Sequence, residues 1–265
     1  MRQTSLGPEF IAEVIAIARD AGRAIMGVYA EQDHGVAQKQ DNSPLTKADL
    51  AAHQLITGGL RRVTPAVSVV SEEDSNSLAY RSAEGEFWLI DPLDGTKEFI
   101  ARNGEFTVNI ALVRDGVAIF GVVVAPVLGQ TYWGGSGLGA YRDLGQGEEP
   151  IMVATQRQSG DLVRVVASKS HLNEKTQRFI DRLGRHDLVQ AGSSLKFCRI
   201  AEGAADIYPR LSPTCEWDTA AAQAIVEAAG GCVLAVDGQP LRYGKPDIIN
   251  PDFVASSGPW YRGVA

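Results

Sequence analysis

Cysteine is scarce in this chain of 265 residues: there are three, Cys198, Cys215 and Cys232, with no CxxC pair and no His–Cys ligand spacing. An odd, dispersed set argues against a disulfide framework or a zinc site and points to thiols in a reducing cytosol. Positive charge is in deficit too. The 25 Lys and Arg against 32 Asp and Glu leave a net charge of −7. Bulk nucleic-acid binding favours a basic surface, so that class drops out. A small anionic substrate does not, because a bound metal ion can reverse the field locally. No apolar run reaches membrane-spanning length, and no cleavable apolar core follows Met1-Arg2-Gln3-Thr4. The expectation is a cytoplasmic protein without a transmembrane segment. Internal repeats and low-complexity segments are also missing. What remains, 45% hydrophobic and 22% charged residues, is ordinary for a globular enzyme and long enough for a sizeable core.

The rest of the chain is organised around Trp88-Leu89-Ile90-Asp91-Pro92-Leu93-Asp94-Gly95-Thr96. Residues 87–90 read as a buried strand. Pro92 lacks the N–H a ladder needs, so the strand is expected to stop there. Gly95 permits the sharp course that turns Asp94 back toward Asp91. Two carboxylates held close cost free energy unless a cation or a proton joins them. All-oxygen ligands at a strand end are what magnesium takes, with a substrate phosphate completing the shell. The plain alternative is a turn-rich loop with solvated or capping aspartates. The apolar strand, the Thr96 hydroxyl and the acids upstream favour a magnesium-dependent phosphate site. The DxDGT spacing of phosphatases with an aspartate nucleophile is rejected, because these aspartates are three apart with a proline between them.

In chain order, residues 8–30 have the apolar spacing of an amphipathic helix, with Pro8 suited to its first turn. Residues 34–44 read as a mobile polar loop carrying Lys39. Thr46 opens a second helix, and Asp49 can complete a capping box with it, which alone would explain Asp49. A short strand over 67–71 ends in Glu72-Glu73-Asp74. If it lies beside the strand that ends in Asp91, Glu72 or Glu73 meets Asp91 at one sheet edge. Residues 106–113 and 117–124 form a hairpin through Asp115-Gly116, and 131–141 reads as one glycine-interrupted strand. A boundary near 156–161 would split the chain into halves 1–155 and 156–265, packed as one catalytic unit. The second half offers a strand over 162–167 running into Ser168-Lys169-Ser170-His171, an anion site or a helix cap in equal measure. It also offers Gly192-Ser193-Ser194-Leu195-Lys196 before a helix, and Asp218 at the N-cap of a helix over 219–229.

Asp91-Pro92-Leu93-Asp94-Gly95-Thr96 and Trp217-Asp218-Thr219-Ala220-Ala221, in that order, resemble the two signatures of the inositol monophosphatase superfamily. Leu45-Thr46-Lys47-Ala48-Asp49 and Ser71-Glu72-Glu73 match as well, so the likeness spans nearly the whole chain. Lys97-Glu98-Phe99-Ile100 and the run from Arg102 to Leu112 resemble the 3′(2′),5′-bisphosphate nucleotidase branch of the CysQ type. Ser168-Lys169-Ser170-His171 and Gly192 to Phe197 fit that branch too. Ala222 departs, standing where the family often has glycine.

The resemblance implies an α/β (α+β) fold, a layered α-β-α-β-α sandwich, and a magnesium-dependent, lithium-sensitive phosphatase. It implies that Glu72, Asp91 and the Leu93 carbonyl hold one magnesium. Asp91, Asp94 and Asp218 would hold a second, with room for a third. Glu72, Leu93, Asp94, Gly95, Thr96 and Asp218 would surround the reacting phosphate, and Glu72 and Thr96, with Asp49, would orient and deprotonate the attacking water. A second phosphate would fall to Ser168, Lys169, Ser170, His171, Ser193 and Lys196. The implied reaction removes the 3′-phosphate of adenosine 3′,5′-bisphosphate, with 3′-phosphoadenylyl sulfate as a further substrate. An inositol-1-monophosphatase with the same metal site is the alternative, and a non-catalytic metal or nucleotide sensor is the alternative of another class. A homodimer, and peripheral attachment to the cytoplasmic face of the inner membrane, are compatible with the likeness.

Overall fold

A computed structural model describes residues 3–39, 43–154, 161–167 and 173–263. Helices α1 (Pro8–Tyr29) and α2 (Lys47–Val63) flank a small hairpin of β1 (Ala37–Gln38) and β2 (Pro44–Leu45). A seven-stranded sheet follows in simple chain order: β3 (Ser68–Ser71), β4 (Glu86–Asp94), β5 (Thr107–Arg114), β6 (Val117–Ala125), β7 (Gln130–Gly135), β8 (Gly139–Asp143) and β9 (Glu148–Ile151). The short helix α3 (Thr96–Ile100) leaves the end of β4. The second sheet has five strands: β10 (Val163–Ala167), β11 (His186–Gln190), β12 (Ile207–Arg210), β13 (Cys232–Ala235) and β14 (Phe253–Ser256). Their spatial order is β11-β10-β12-β14-β13. Helices α4 (Glu174–Arg182), α5 (Leu195–Ala201) and α6 (Ala220–Ala228) complete the chain.

The layers follow from where apolar side chains point. Along β4, Trp88 and Ile90 join Val14, Ile25, Ile56 and Leu60 of α1 and α2 in one core. Phe87 and Leu89 point the other way, into a second core with Phe197 of α5, Ile225 of α6 and Phe253 of β14. A strand buried on both faces reads as an unbroken apolar run, as 87–90 does. A third core lies behind the five-stranded sheet, where Val165, Ile207 and Val254 meet Phe179 and Ile180 of α4. The result is helix, sheet, helix, sheet, helix, the layered sandwich expected. Close contact of the middle layers depends on Gly121: a Cβ there would stand 2.1 Å from Ala221 O of α6. Ala222 is buried in the same helix without interrupting it.

Three local expectations change. The strand β4 does not stop at Pro92 but runs to Asp94. Asp91 pairs with Asn109 and Asp94 with Thr107, so two residues on β4 oppose one on β5. This bulge takes Pro92 out of the ladder, where its missing N–H costs nothing. Residues 131–141 are not one strand but most of a hairpin, β7 and β8, with Gly135 opposite Gly139. The glycines there mark a reversal. Asp218 is the last residue of a 3₁₀ turn, Glu216–Asp218, and Thr219 holds the N-cap position of α6. By contrast the Asp115-Gly116 hairpin is as expected: both residues have positive φ, 49° and 74°, the geometry of a two-residue type I′ turn.

Candidate active site

Strands β3 and β4 are parallel neighbours with Ser71 opposite Ile90, and the amide of Glu72 donates to Ile90 O at 3.2 Å. The two acidic strand ends therefore share one sheet edge. Past it, Asp91 Oδ1 accepts from the Leu93 amide at 3.0 Å and holds the bulge. Gly95 turns the chain with φ 95°, and a Cβ there would meet Ser193 Oγ at 2.2 Å. No other residue type fits such a position without strain. The Ser193 hydroxyl lies 2.8 Å from Asp94 O and 2.9 Å from Glu105 O, so it clamps this turn from the α5 side. Beside it, Ser194 Oγ donates to Asp94 Oδ2 at 3.1 Å and lies 3.0 Å from Asp218 O. Asn109 Nδ2 also reaches Asp94 Oδ2, at 3.4 Å. Asp218 Oδ2 turns back to accept from the Cys215 amide at 2.7 Å, which is why it caps the 3₁₀ turn rather than α6.

Asp49 performs two tasks at once. Its Oδ2 accepts from the Thr46 amide at 2.7 Å, which makes the capping box. Its Oδ1 accepts from Thr96 Oγ1 at 3.3 Å. Glu72, Asp94, Gly95, Thr96 and Asp218 then line a cleft of about 430 Å³, with Asp91 buried behind them. Lys196 of α5 and Tyr208 and Arg210 of β12 line the same cleft. Ser168, Lys169, Ser170 and His171 lie outside the described residues.

The acids repel one another. Burial pushes the Asp91 carboxyl well above its ordinary range, and the charges of Glu72, Asp94 and Asp218 push it further. Asp218 is raised in the same way, by burial and then by Asp94 and Glu72. A hydrogen bond joins Glu72 to Asp91 in the sense that favours an ionised Glu72 and a protonated Asp91. Among the described residues no three His, Cys, Asp or Glu side chains already converge as a cation cage. The donor set still fits magnesium: all its ligands would be hard oxygens, in excess negative charge, from the ends of β3 and β4 and the 3₁₀ turn at Asp218.

Two residues escaped the sequence reading, Lys39 beside the cleft acid Glu72 and Arg210 in the cleft lining. Lys39, assigned to a mobile loop, places its Nζ 2.7 Å from both Glu72 Oε1 and Glu73 Oε1. Burial disfavours the ammonium, but the two carboxylates outweigh it and its pKa rises. Burial likewise raises Glu73, to about 7, despite Lys39. A lone lysine in a polar loop carries no pattern; only the β1–β2 hairpin brings it to the site. Arg210 sits two residues after Tyr208 on β12, and its Nε is buried without a hydrogen-bond partner among the described residues. Period-two alternation along that strand was the available signal. Lys196, expected at the site, is 6% exposed. Burial lowers its pKa to about 8, with Asp94 pulling the other way.

A model of the inositol monophosphatase family matches residues 8–261. The chain belongs to this family. Among family relatives, the 3′(2′),5′-bisphosphate nucleotidase CysQ of Salmonella typhimurium is 46% identical over 245 residues, 92% of this chain and 98% of the relative. CysQ of Escherichia coli K12 is 46% identical over 246 residues, with the same coverage. The crystal structure of CysQ from Bacteroides thetaiotaomicron superposes with a TM-score of 0.81 at 41% identity, covering 92% of this chain and 96% of that one. The inositol monophosphatase of Anabaena gives 0.71 at 26% identity, covering 94% and 90%. The family's layered fold accounts for the arrangement above, and no helix among the described residues is long and apolar enough to cross a membrane.

Proposed function

We propose that this protein is a magnesium-dependent phosphomonoesterase that removes the 3′-phosphate of adenosine 3′,5′-bisphosphate, giving AMP and phosphate. 3′-Phosphoadenylyl sulfate, with a 5′ anion at the same distance, is the further substrate. The observation that carries this reading is a single cleft lined both by the carboxylates Glu72, Asp94 and Asp218 and by two cations, Lys196 and Arg210. A bisphosphate has one anion for each. The nucleotidase names of the relatives support the same choice.

Glu72, Asp91, the Leu93 carbonyl, Asp94 and Asp218 would hold two magnesium ions, with a third site left open. Bound there, magnesium supplies Lewis-acid stabilisation of phosphoryl oxygens and a lowered pKa for water. The chain's own part is positioning. Thr96 donates its hydroxyl hydrogen bond to Asp49, which leaves its oxygen lone pairs to orient a water together with Glu72. The amides of Gly95 and Thr96 would hold the reacting phosphate. Lys196 and Arg210 would receive the 5′-phosphate, joined by Ser168, Lys169, Ser170 and His171, while the Ser193 hydroxyl, expected there too, is spent on the Asp94 and Glu105 carbonyls. A phosphate dianion at Lys196 would further favour the ammonium against the burial that lowers its pKa. We read halves 1–155 and 156–265 as one catalytic unit, cytoplasmic and free to form a homodimer.

Inositol 1-phosphate would leave the two cations idle, so discrimination should appear in kcat/KM. The test is metal-dependent phosphate release from adenosine 3′,5′-bisphosphate, 3′-AMP and inositol 1-phosphate. Preference for the bisphosphate is expected. Faster turnover of inositol 1-phosphate would reassign the enzyme, and no turnover of any phosphomonoester would make it a binding protein.

A further inference from the structure

Two residues before Asp218 stands Glu216, a carboxylate with no exposed surface. Its Oε1 accepts from Lys245 Nζ at 2.6 Å and from the Lys245 amide at 3.1 Å. Its Oε2 accepts from the Gly244 amide at 3.0 Å and from Arg81 Nη1 at 3.2 Å. Four donors from two distant segments thus converge on one buried side chain. Arg81 also donates to Lys245 O at 3.0 Å.

Arg81 follows directly on the 3₁₀ helix Ser75–Tyr80, and that helix is stitched to the residues on either side of Glu72. Ser77 Oγ accepts from the Ser71 amide at 3.0 Å and donates to Asp74 O at 2.5 Å. A continuous linkage therefore runs from the segment 71–74 that carries Glu72, through Ser77, Arg81 and Glu216, to the turn that carries Asp218. Buried ion pairs contribute little net stability, because desolvation offsets their attraction. Their effect is to fix geometry, since an unpaired charge has nowhere to go.

We propose that Glu216 and Arg81 are positioning residues that set the span between the Glu72 and Asp218 carboxylates. The inference rests on the metal-dependent reading of the site. Neither residue touches substrate; both act through the two acids. Losing the linkage should therefore weaken cation binding and slow the chemical step while leaving substrate affinity alone.

The experiment compares wild type, Glu216→Gln, Arg81→Met and the double variant by three measurements. These are calorimetric titration of the metal-free protein with Mn²⁺, kcat and KM on adenosine 3′,5′-bisphosphate, and thermal melting. Displacing groups that orient metal ligands typically costs about 10–100-fold, so Arg81→Met should weaken Mn²⁺ binding and lower kcat by about tenfold, with KM within about twofold. The double variant should be no worse than Glu216→Gln, because the two act as one unit. Arg81→Met alone decides the matter if Glu216→Gln does not fold. Wild-type Mn²⁺ affinity and kcat in folded Arg81→Met, whatever its melting temperature, would overturn the proposal. If the wild type turns over no bisphosphate, the substrate assignment falls, and the Mn²⁺ titration still decides the linkage.

Discussion

Thr96 Oγ1 donates to Asp49 Oδ1 at 3.3 Å, across 47 residues of chain, while the other oxygen of the same carboxylate caps α2 through Thr46. The helix cap and the site are built from one side chain, so a capping role and a catalytic role for Asp49 are not alternatives. The two can be separated by mutation. Thr46→Ala should cost about 1 kcal/mol, the usual loss for an N-cap, and leave kcat within a few-fold. Asp49→Ala should match that stability loss and lower kcat far more. Equal kcat in the two variants would confine Asp49 to the cap.

Asp91 is the acid hemmed in by the most like charge. Asp91→Asn keeps the shape and removes the charge, so the metal-free protein should melt at a higher temperature than wild type. Activity should be lost more completely than in Asp49→Ala, and magnesium should no longer raise the melting temperature by linkage. A folded Asp91→Asn protein with wild-type turnover at ordinary magnesium contradicts the metal assignment.

The raised carboxyls also set a pH dependence. Asp49, Glu72, Glu73, Asp91 and Asp218 all bind protons more tightly folded than unfolded. Their stability contribution is fully present below the unfolded carboxylate values and is lost as pH rises through the folded ones. For Glu73 that window runs from 4.5 to about 7. His53, lowered by burial, works in the opposite direction near neutrality but is a single group against five. In chelator the melting temperature should fall between about pH 5 and 8, and saturating magnesium should flatten the curve. A metal-free curve that rises over this interval would contradict the electrostatics.

Lys39 is the counter-charge on Glu72 and Glu73. Lys39→Met removes it without removing bulk. The metal-free protein should melt lower, because an unpaired buried charge costs more than the pair contributes, and kcat should fall as Glu72 loses a contact. Unchanged melting and turnover would reduce this ion pair to a surface contact.

Much of this arrangement was legible in the sequence, for identifiable reasons. The apolar run before Asp91, the Asp115-Gly116 turn and the Thr46–Asp49 capping box are local signals, and all three appear as read. The juxtaposition of Glu72 and Asp91 needed only that two acid-ended strands be neighbours. What was not legible depends on the third dimension. Pro92 reads as a strand breaker, and only the β5 partner shows that a bulge absorbs it. Lys39 and Arg210 carry no spacing pattern, and Glu216 looks like an ordinary acid beside a tryptophan until the strap at Gly244–Lys245 closes over it.

The most direct measurement is kcat/KM for adenosine 3′,5′-bisphosphate, 3′-AMP and inositol 1-phosphate in wild type, Lys196→Ala and Arg210→Met. A charge-assisted hydrogen bond to a phosphate contributes roughly 1.5–3 kcal/mol, so each substitution should cost the bisphosphate about tenfold or more. The two substrates without a second phosphate should lose little, and wild type should prefer the bisphosphate over both. Equal losses on all three substrates would mean that Lys196 and Arg210 serve the fold and that the cleft does not read a second phosphate.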